Sequence, residues 1–232
     1  MRKGTLWFGL FVSSLLVSGC ASSGHGNKAR DFELYLEDGE LDSVEFDPDA
    51  SGPTVDSQIE RERTGARFAF GGEQARGFFQ VFAEEWSGKG SSLDLDGFGL
   101  GGGVKGAPSV GDAGPDVKLL IPFRADLSFA YGVEETTTAD YTLAYVELHA
   151  DVGFGVEWMG IRPSAGVALS SLSGAYRVDP VGGSDSDYDV AGSNIGFFFD
   201  IRYKHEEFPV YGHFRALSGD YDVVTLGIGV NF

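Results

Sequence analysis

Tyr221-Asp222-Val223-Val224-Thr225-Leu226-Gly227-Ile228-Gly229-Val230-Asn231-Phe232 alternates from one end to the other. One face holds Val224, Leu226, Ile228, Val230 and Phe232. The other holds Val223, Thr225, Gly227, Gly229 and Asn231. Successive strand side chains point to opposite faces, so the stretch predicts a strand with one apolar face and one small or polar face. An exposed strand edge is an aggregation hazard, and a strand that ends on a bare aromatic needs a structural reason.

The same alternation recurs upstream. Ile195, Phe197, Phe199, Ile201 and Tyr203 oppose Asn194, Gly196, Asp200 and Arg202. Val146, Leu148, Val152 and Phe154 oppose Glu147, His149, Asp151 and Gly153, and Leu127, Phe129 and Tyr131 oppose Arg124, Asp126 and Ser128. Phe68 and Phe70 oppose Arg61, Arg63 and Arg67. These runs exceed the ~5–6 residues usual for soluble strands and match tilted membrane strands of about 9–11 residues or more. Ten strands are predicted, over residues 30–37, 61–70, 77–86, 94–104, 119–133, 142–157, 161–176, 193–205, 209–218 and 223–232. The first is weakly apolar, so an eight-stranded barrel with an N-terminal extension is the alternative.

The N-terminal segment points to export. Arg2 and Lys3 precede an apolar run over residues 6–17. It is shorter than the ~20 residues a spanning helix needs and has the form of a secretory signal peptide. Residues 17–20, Val-Ser-Gly-Cys, resemble the bacterial lipoprotein cleavage box, with Val where Leu is commoner. In that family the cysteine, here Cys20, becomes the acylated first residue, and Ala21 after it resembles an outer-membrane sorting signal. Ordinary cleavage after Ala21 is the alternative. The expected organisation is a signal peptide over residues 1–19, a lipidated tether over 20–29 and a barrel over 30–232. Cys20 is the only cysteine, so no disulfide forms within the chain and no cysteine metal site exists.

The last strand resembles the terminal signature of bacterial outer-membrane β-barrels, whose final strand ends on an aromatic residue. The resemblance is tight over that strand and holds elsewhere by pattern. It implies an all-β, antiparallel, up-and-down transmembrane barrel in the cell outer membrane, with outer-membrane lipid as its surroundings. The barrel-assembly machinery would engage Val224, Leu226, Ile228, Val230 and Phe232. An even strand count returns the chain to the side where it entered, which a lipidated Cys20 on the periplasmic side requires. Residues 71–76, 158–160 and 206–208 are then periplasmic turns, and 38–58, 134–140 and 178–192 outer loops. Residues 105–116 make a long periplasmic connection, against the family habit.

Composition limits the partners. The chain carries 17 Lys and Arg against 35 Asp and Glu, a net charge of -18. Losing Arg2 and Lys3 with the signal makes it -20. Nucleic acid is excluded as a partner, because phosphate binding needs a basic surface. The polar faces mix Gly and Ser with charges of both signs, as in a narrow lumen where each ion needs a partner. A soluble periplasmic lipoprotein barrel that binds an apolar ligand is the rival reading; it would turn the apolar faces inward.

The lumen candidates are Arg63, Arg67, Arg124, Asp126, Glu147, His149, Asp151, Arg162, Asp200, Arg202, His213 and Arg215. Two readings compete: an ion network that fills a small barrel, and a narrow pore or polar cavity. A structural, surface-interaction or narrow-pore role follows, with no cofactor. No nucleophile elbow or zinc helix is present, and the four His are too scattered for a metal site. His213, Ser218 and Asp220 invite the further alternative of a barrel-embedded lipid-modifying hydrolase, although His213 faces the lumen and Ser218 ends a strand. Residues 31–49 hold nine Asp or Glu and no Lys or Arg, and Asp185, Asp187 and Asp189 alternate. They are expected to be solvated outer loops that keep like-charged surfaces apart, with divalent cations as the alternative partner.

Overall fold

A computed structural model of the chain describes residues 29–48, 54–72, 74–89, 94–205 and 207–232. The signal peptide, Cys20 and most of the tether lie outside the described residues. Twelve strands follow in order: β1 (Ala29–Pro48), β2 (Val55–Gly71), β3 (Ala75–Gly88), β4 (Asp94–Gly106), β5 (Ser109–Gly114), β6 (Val117–Leu120), β7 (Phe123–Glu135), β8 (Ala139–Trp158), β9 (Ile161–Pro180), β10 (Ser186–Lys204), β11 (Val210–Ser218) and β12 (Tyr221–Asn231).

Ten of these close a ring of antiparallel neighbours: β1, β2, β3, β4, β7, β8, β9, β10, β11 and β12, which returns to β1. β12 closes it in register, with Leu34 opposite Ile228 and Leu36 opposite Leu226. Arg30 and Phe232 exchange both backbone hydrogen bonds at the seam. The ten-stranded expectation therefore holds, and the eight-stranded alternative does not. We call the end that holds Arg30 and Phe232 the near end, and the opposite one the far end.

Three expectations change. Residues 119–133 are not one strand: β6 and β7 both lie along β8, in line, but the chain breaks at Ile121 and Pro122. Proline has no N–H for the ladder, so a break there is the physical outcome. The connection 105–116 is no open loop, because β5 extends it as a ribbon with β6 at the near end. Most of 38–58 and 178–192 is strand rather than loop. β1 runs on past the short β11–β12 hairpin and pairs directly with β10, Phe46 opposite Val190, after a register shift between Leu41 and Val44.

The outer face of the ring is apolar in a belt. Phe154, Ile195 and Phe197 are 72–79% exposed, and Leu148, Val152, Phe199, Leu226 and Ile228 are also exposed. On β9 the outward series Ile161, Val167 and Leu169 gives way to Ser171, Ser173, Arg177 and Asp179. The belt therefore ends well short of the strand tips at the far end. Near its other margin sit Trp158, Tyr203, Phe208, Phe232 and Phe70, all exposed.

Candidate functional site

The inward faces stack in layers along the ring axis. At the near end, the fully buried Asp31 takes Arg76 at 2.6 Å and Arg202 at 3.2 Å, with Lys105 4.0 Å away. One layer on, Glu33 accepts from Arg67 at 3.1 Å and from the Tyr211 hydroxyl at 3.0 Å. His213 lies between Glu33, 3.2 Å from Nδ1, and Asp200, 2.8 Å from Nε2. Next, Asp151 accepts from Arg215 at 2.6 Å and sits 3.0 Å from His149, whose other ring nitrogen is 2.8 Å from Ser170. Arg124 pairs with Asp126. Arg162 pairs with Glu157 at 2.7 Å near the near rim.

Halfway along, two guanidinium groups meet three carboxylates. Arg63 reaches Glu147 at 2.7 Å, Glu84 at 2.9 Å and Glu37 at 3.4 Å; Arg61 reaches Glu147 at 3.1 Å and Glu37 at 3.2 Å. The Tyr145 hydroxyl accepts from Arg63 and donates to Glu84. Fork-shaped donors against carboxylates suit such packing, since each buried ion needs several partners. Aromatic faces complete it, with Arg63 4.5 Å from the Phe82 ring centre and Arg202 3.8 Å from that of Tyr211.

Beyond this layer the interior turns apolar. Leu41, Val44, Ile59, Trp86, Leu95, Leu143, Leu172, Val190 and Tyr221 are at most 2% exposed and form one cluster inside the ring. Phe46, Tyr141, Tyr176 and Tyr188 lie above it, with Tyr141 stacked on Tyr176 and Phe46 edge-on to Tyr176 at 5.6 Å. The lumen is polar only from the near end to its middle. A cavity of about 160 Å³ lies at the near mouth, with Glu33, Lys105, Arg162 and Arg202 in its wall.

The structure places Arg63, Arg67, Arg124, Asp126, Glu147, Asp151, Arg162, Arg202 and Arg215 in the ion pairs described, and His149, His213 and Asp200 in the hydrogen-bonded contacts beside them. The reading of residues 31–49 as solvated loop is corrected in part, because Asp31, Glu33 and Glu37 are inward carboxylates of this network. Their signal was present: Asp31, Glu33, Tyr35 and Glu37 alternate with Phe32, Leu34 and Leu36. Arg76, Glu84, Lys105 and Tyr145 were not singled out either. At the far end Arg177 bonds Asp185 and lies 3.8 Å from Asp187. Among the described residues no group of three or more His, Cys, Asp or Glu is placed to hold a metal ion. His213 and Ser218 are five residues apart on β11, a rise of roughly 16 Å, which is beyond hydrogen-bond reach.

No family model and no curated protein sequence matches the chain. Solved structures do. The outer membrane protease OmpT from Escherichia coli aligns over 92% of this chain and 99% of its own, with 8% identity and a TM-score of 0.50. The fold is that of an outer-membrane β-barrel. The transport unit of the autotransporter AIDA-I from Escherichia coli is similar over 97% of both chains, at 10% identity and a TM-score of 0.46. The translocator domain of the autotransporter NalP from Neisseria meningitidis covers 98% of this chain and 95% of its own, at 12% identity and a TM-score of 0.40. Such identities speak to the outer-membrane barrel fold alone, so function rests on the lumen of this chain.

Proposed function

We propose that this protein is an outer-membrane barrel with its near end in the periplasm, and that its role is structural or surface-interacting rather than conducting. The observation that carries this reading is the apolar cluster across the far half of the lumen. Water and ions cross a barrel through a wetted path, and a packed apolar layer offers none. The outward belt supports residence in lipid: Phe154, Ile195 and Phe197 would be costly in water, while a soluble barrel would turn them inward. Acylation at Cys20 would hold the N-terminus at the periplasmic leaflet, consistent with Arg30 and Phe232 both lying at the near end.

No catalytic role is assigned to the lumen, whose histidines are held within hydrogen-bond distance of Asp151, Ser170, Glu33 and Asp200. The test is conductance of the refolded protein in planar bilayers. Silence under applied voltage is expected, and steady openings would overturn the sealed-lumen reading. Cys20→Ser, followed by fractionation, separates the anchor from the barrel: the variant is expected to stay in the membrane fraction. Its release into buffer would favour the soluble alternative.

A further inference from the structure

The near-mouth cavity is lined by eight Lys or Arg side chains and three carboxylates. This chain holds 35 Asp and Glu against 17 Lys and Arg, so nearly half of its cations lie around one small space. Counting also the partner carboxylates that stand behind the wall (Asp31, Asp126 and Glu157), eight cations still face six anions with both histidines neutral. The mid-lumen layer shows that the chain can do otherwise, since there Arg61 and Arg63 meet Glu37, Glu84 and Glu147. Filling a lumen requires balanced charge, because unpaired buried ions are costly. At the near mouth the cations outnumber the acids, and an anion that enters the cavity meets several of them at once.

We infer that this cavity binds a phosphoryl dianion. The excess of about two positive charges matches a phosphate monoester or inorganic phosphate better than a single carboxylate, and guanidinium forks fit phosphate oxygens in pairs. Access is open, because the side chains of Arg76, Lys105, Arg202 and Arg162 are 14, 18, 24 and 34% exposed. Lys204 is exposed at the rim and has no carboxylate partner among the described residues. The acids at this end already face cations of the wall: Asp31 serves Arg76 and Arg202 through Oδ2, and Glu33 serves Arg67. The inference takes from the proposed orientation only which compartment supplies the ligand. Binding in detergent does not depend on that orientation or on conductance.

The experiment is calorimetric titration of the whole refolded protein in uncharged detergent with inorganic phosphate, at fixed ionic strength set by sodium chloride. Saturable one-to-one binding is expected. Lys204→Gln and Arg162→Gln together should weaken it about tenfold or more. Both side chains sit at the rim, so folding is checked by heat-modifiable migration, which should be unchanged. Arg177→Gln at the far end should bind as the parent does. Soluble short-chain phosphatidic acid is titrated alongside. Tighter binding than inorganic phosphate identifies a lipid headgroup as the source, and equal or weaker binding identifies free phosphate. No saturation by either probe, or unchanged affinity in the folded double variant, would overturn the site.

Discussion

Tyr211 lies across Gly229 of the neighbouring strand, so a β-carbon at Gly229 would stand 2.4 Å from the ring. Tyr35 covers Gly65 at the same distance. In a narrow lumen a large side chain fits only where its cross-strand neighbour is small. Gly229→Val is expected to destabilise the barrel by about 1–3 kcal/mol through overpacking. The check is a lower temperature for the loss of compact migration on gels. A different constraint acts in the β8–β9 turn. Met159 and Gly160 both have positive φ, 49° and 77°, the geometry of a two-residue hairpin whose twist matches the strands. Met159→Asn keeps that turn with a residue that tolerates it and is expected to gain about 1 kcal/mol on the same assay.

Individual strands divide their two faces between hydrocarbon and ions. On β8, Leu148 faces out and Glu147 faces Arg61 and Arg63. Leu148→Arg is expected to block membrane assembly, at a cost of about 2–4 kcal/mol if the site lies at midplane. Asp179→Arg, outward at the far tip of β9, should insert normally. Equal insertion of both variants would contradict the assigned belt. Glu147→Ala leaves two buried guanidinium groups short of an acid and should cost about 3–5 kcal/mol. Outside the belt, Asp38, Glu62, Glu85 and Asp96 stand opposite one another across β1 to β4. Like charges directly opposite repel, so Glu62→Gln should stabilise by about 0.2–1 kcal/mol, with the gain shrinking as salt rises. Glu40, two residues on, is answered by Lys89 at 2.8 Å, and that hydrogen bond raises the ammonium's pKa.

Across the whole molecule, the barrel is a polar cup below an apolar stopper. Trp86→Ala with Tyr221→Ala should hollow the stopper, and planar-bilayer recordings of that double variant should show openings that the parent lacks. Unbroken silence would place the seal elsewhere. Alternation in residues such as 223–232 and 142–157 pointed to ten strands, with eight as the alternative, and divided each strand into an apolar and a polar face, because a period of two assigns every side chain to one side of the sheet. The inward carboxylates of β1 were legible in the same way, yet the density of acid around them hid the alternation. The far-end stopper was not legible. Leu41, Val44, Ile59 and Leu143 lie on inward faces, but alternation alone does not say how far along the axis each one sits. That position depends on the stagger between neighbouring strands, which arises only when all ten pair. Sequence alone thus determined a membrane-type barrel with ions inside. Tertiary structure decided that the lumen is stoppered at one end and carries surplus positive charge at the other, because charge balance and sealing depend on side chains from distant strands meeting at one level.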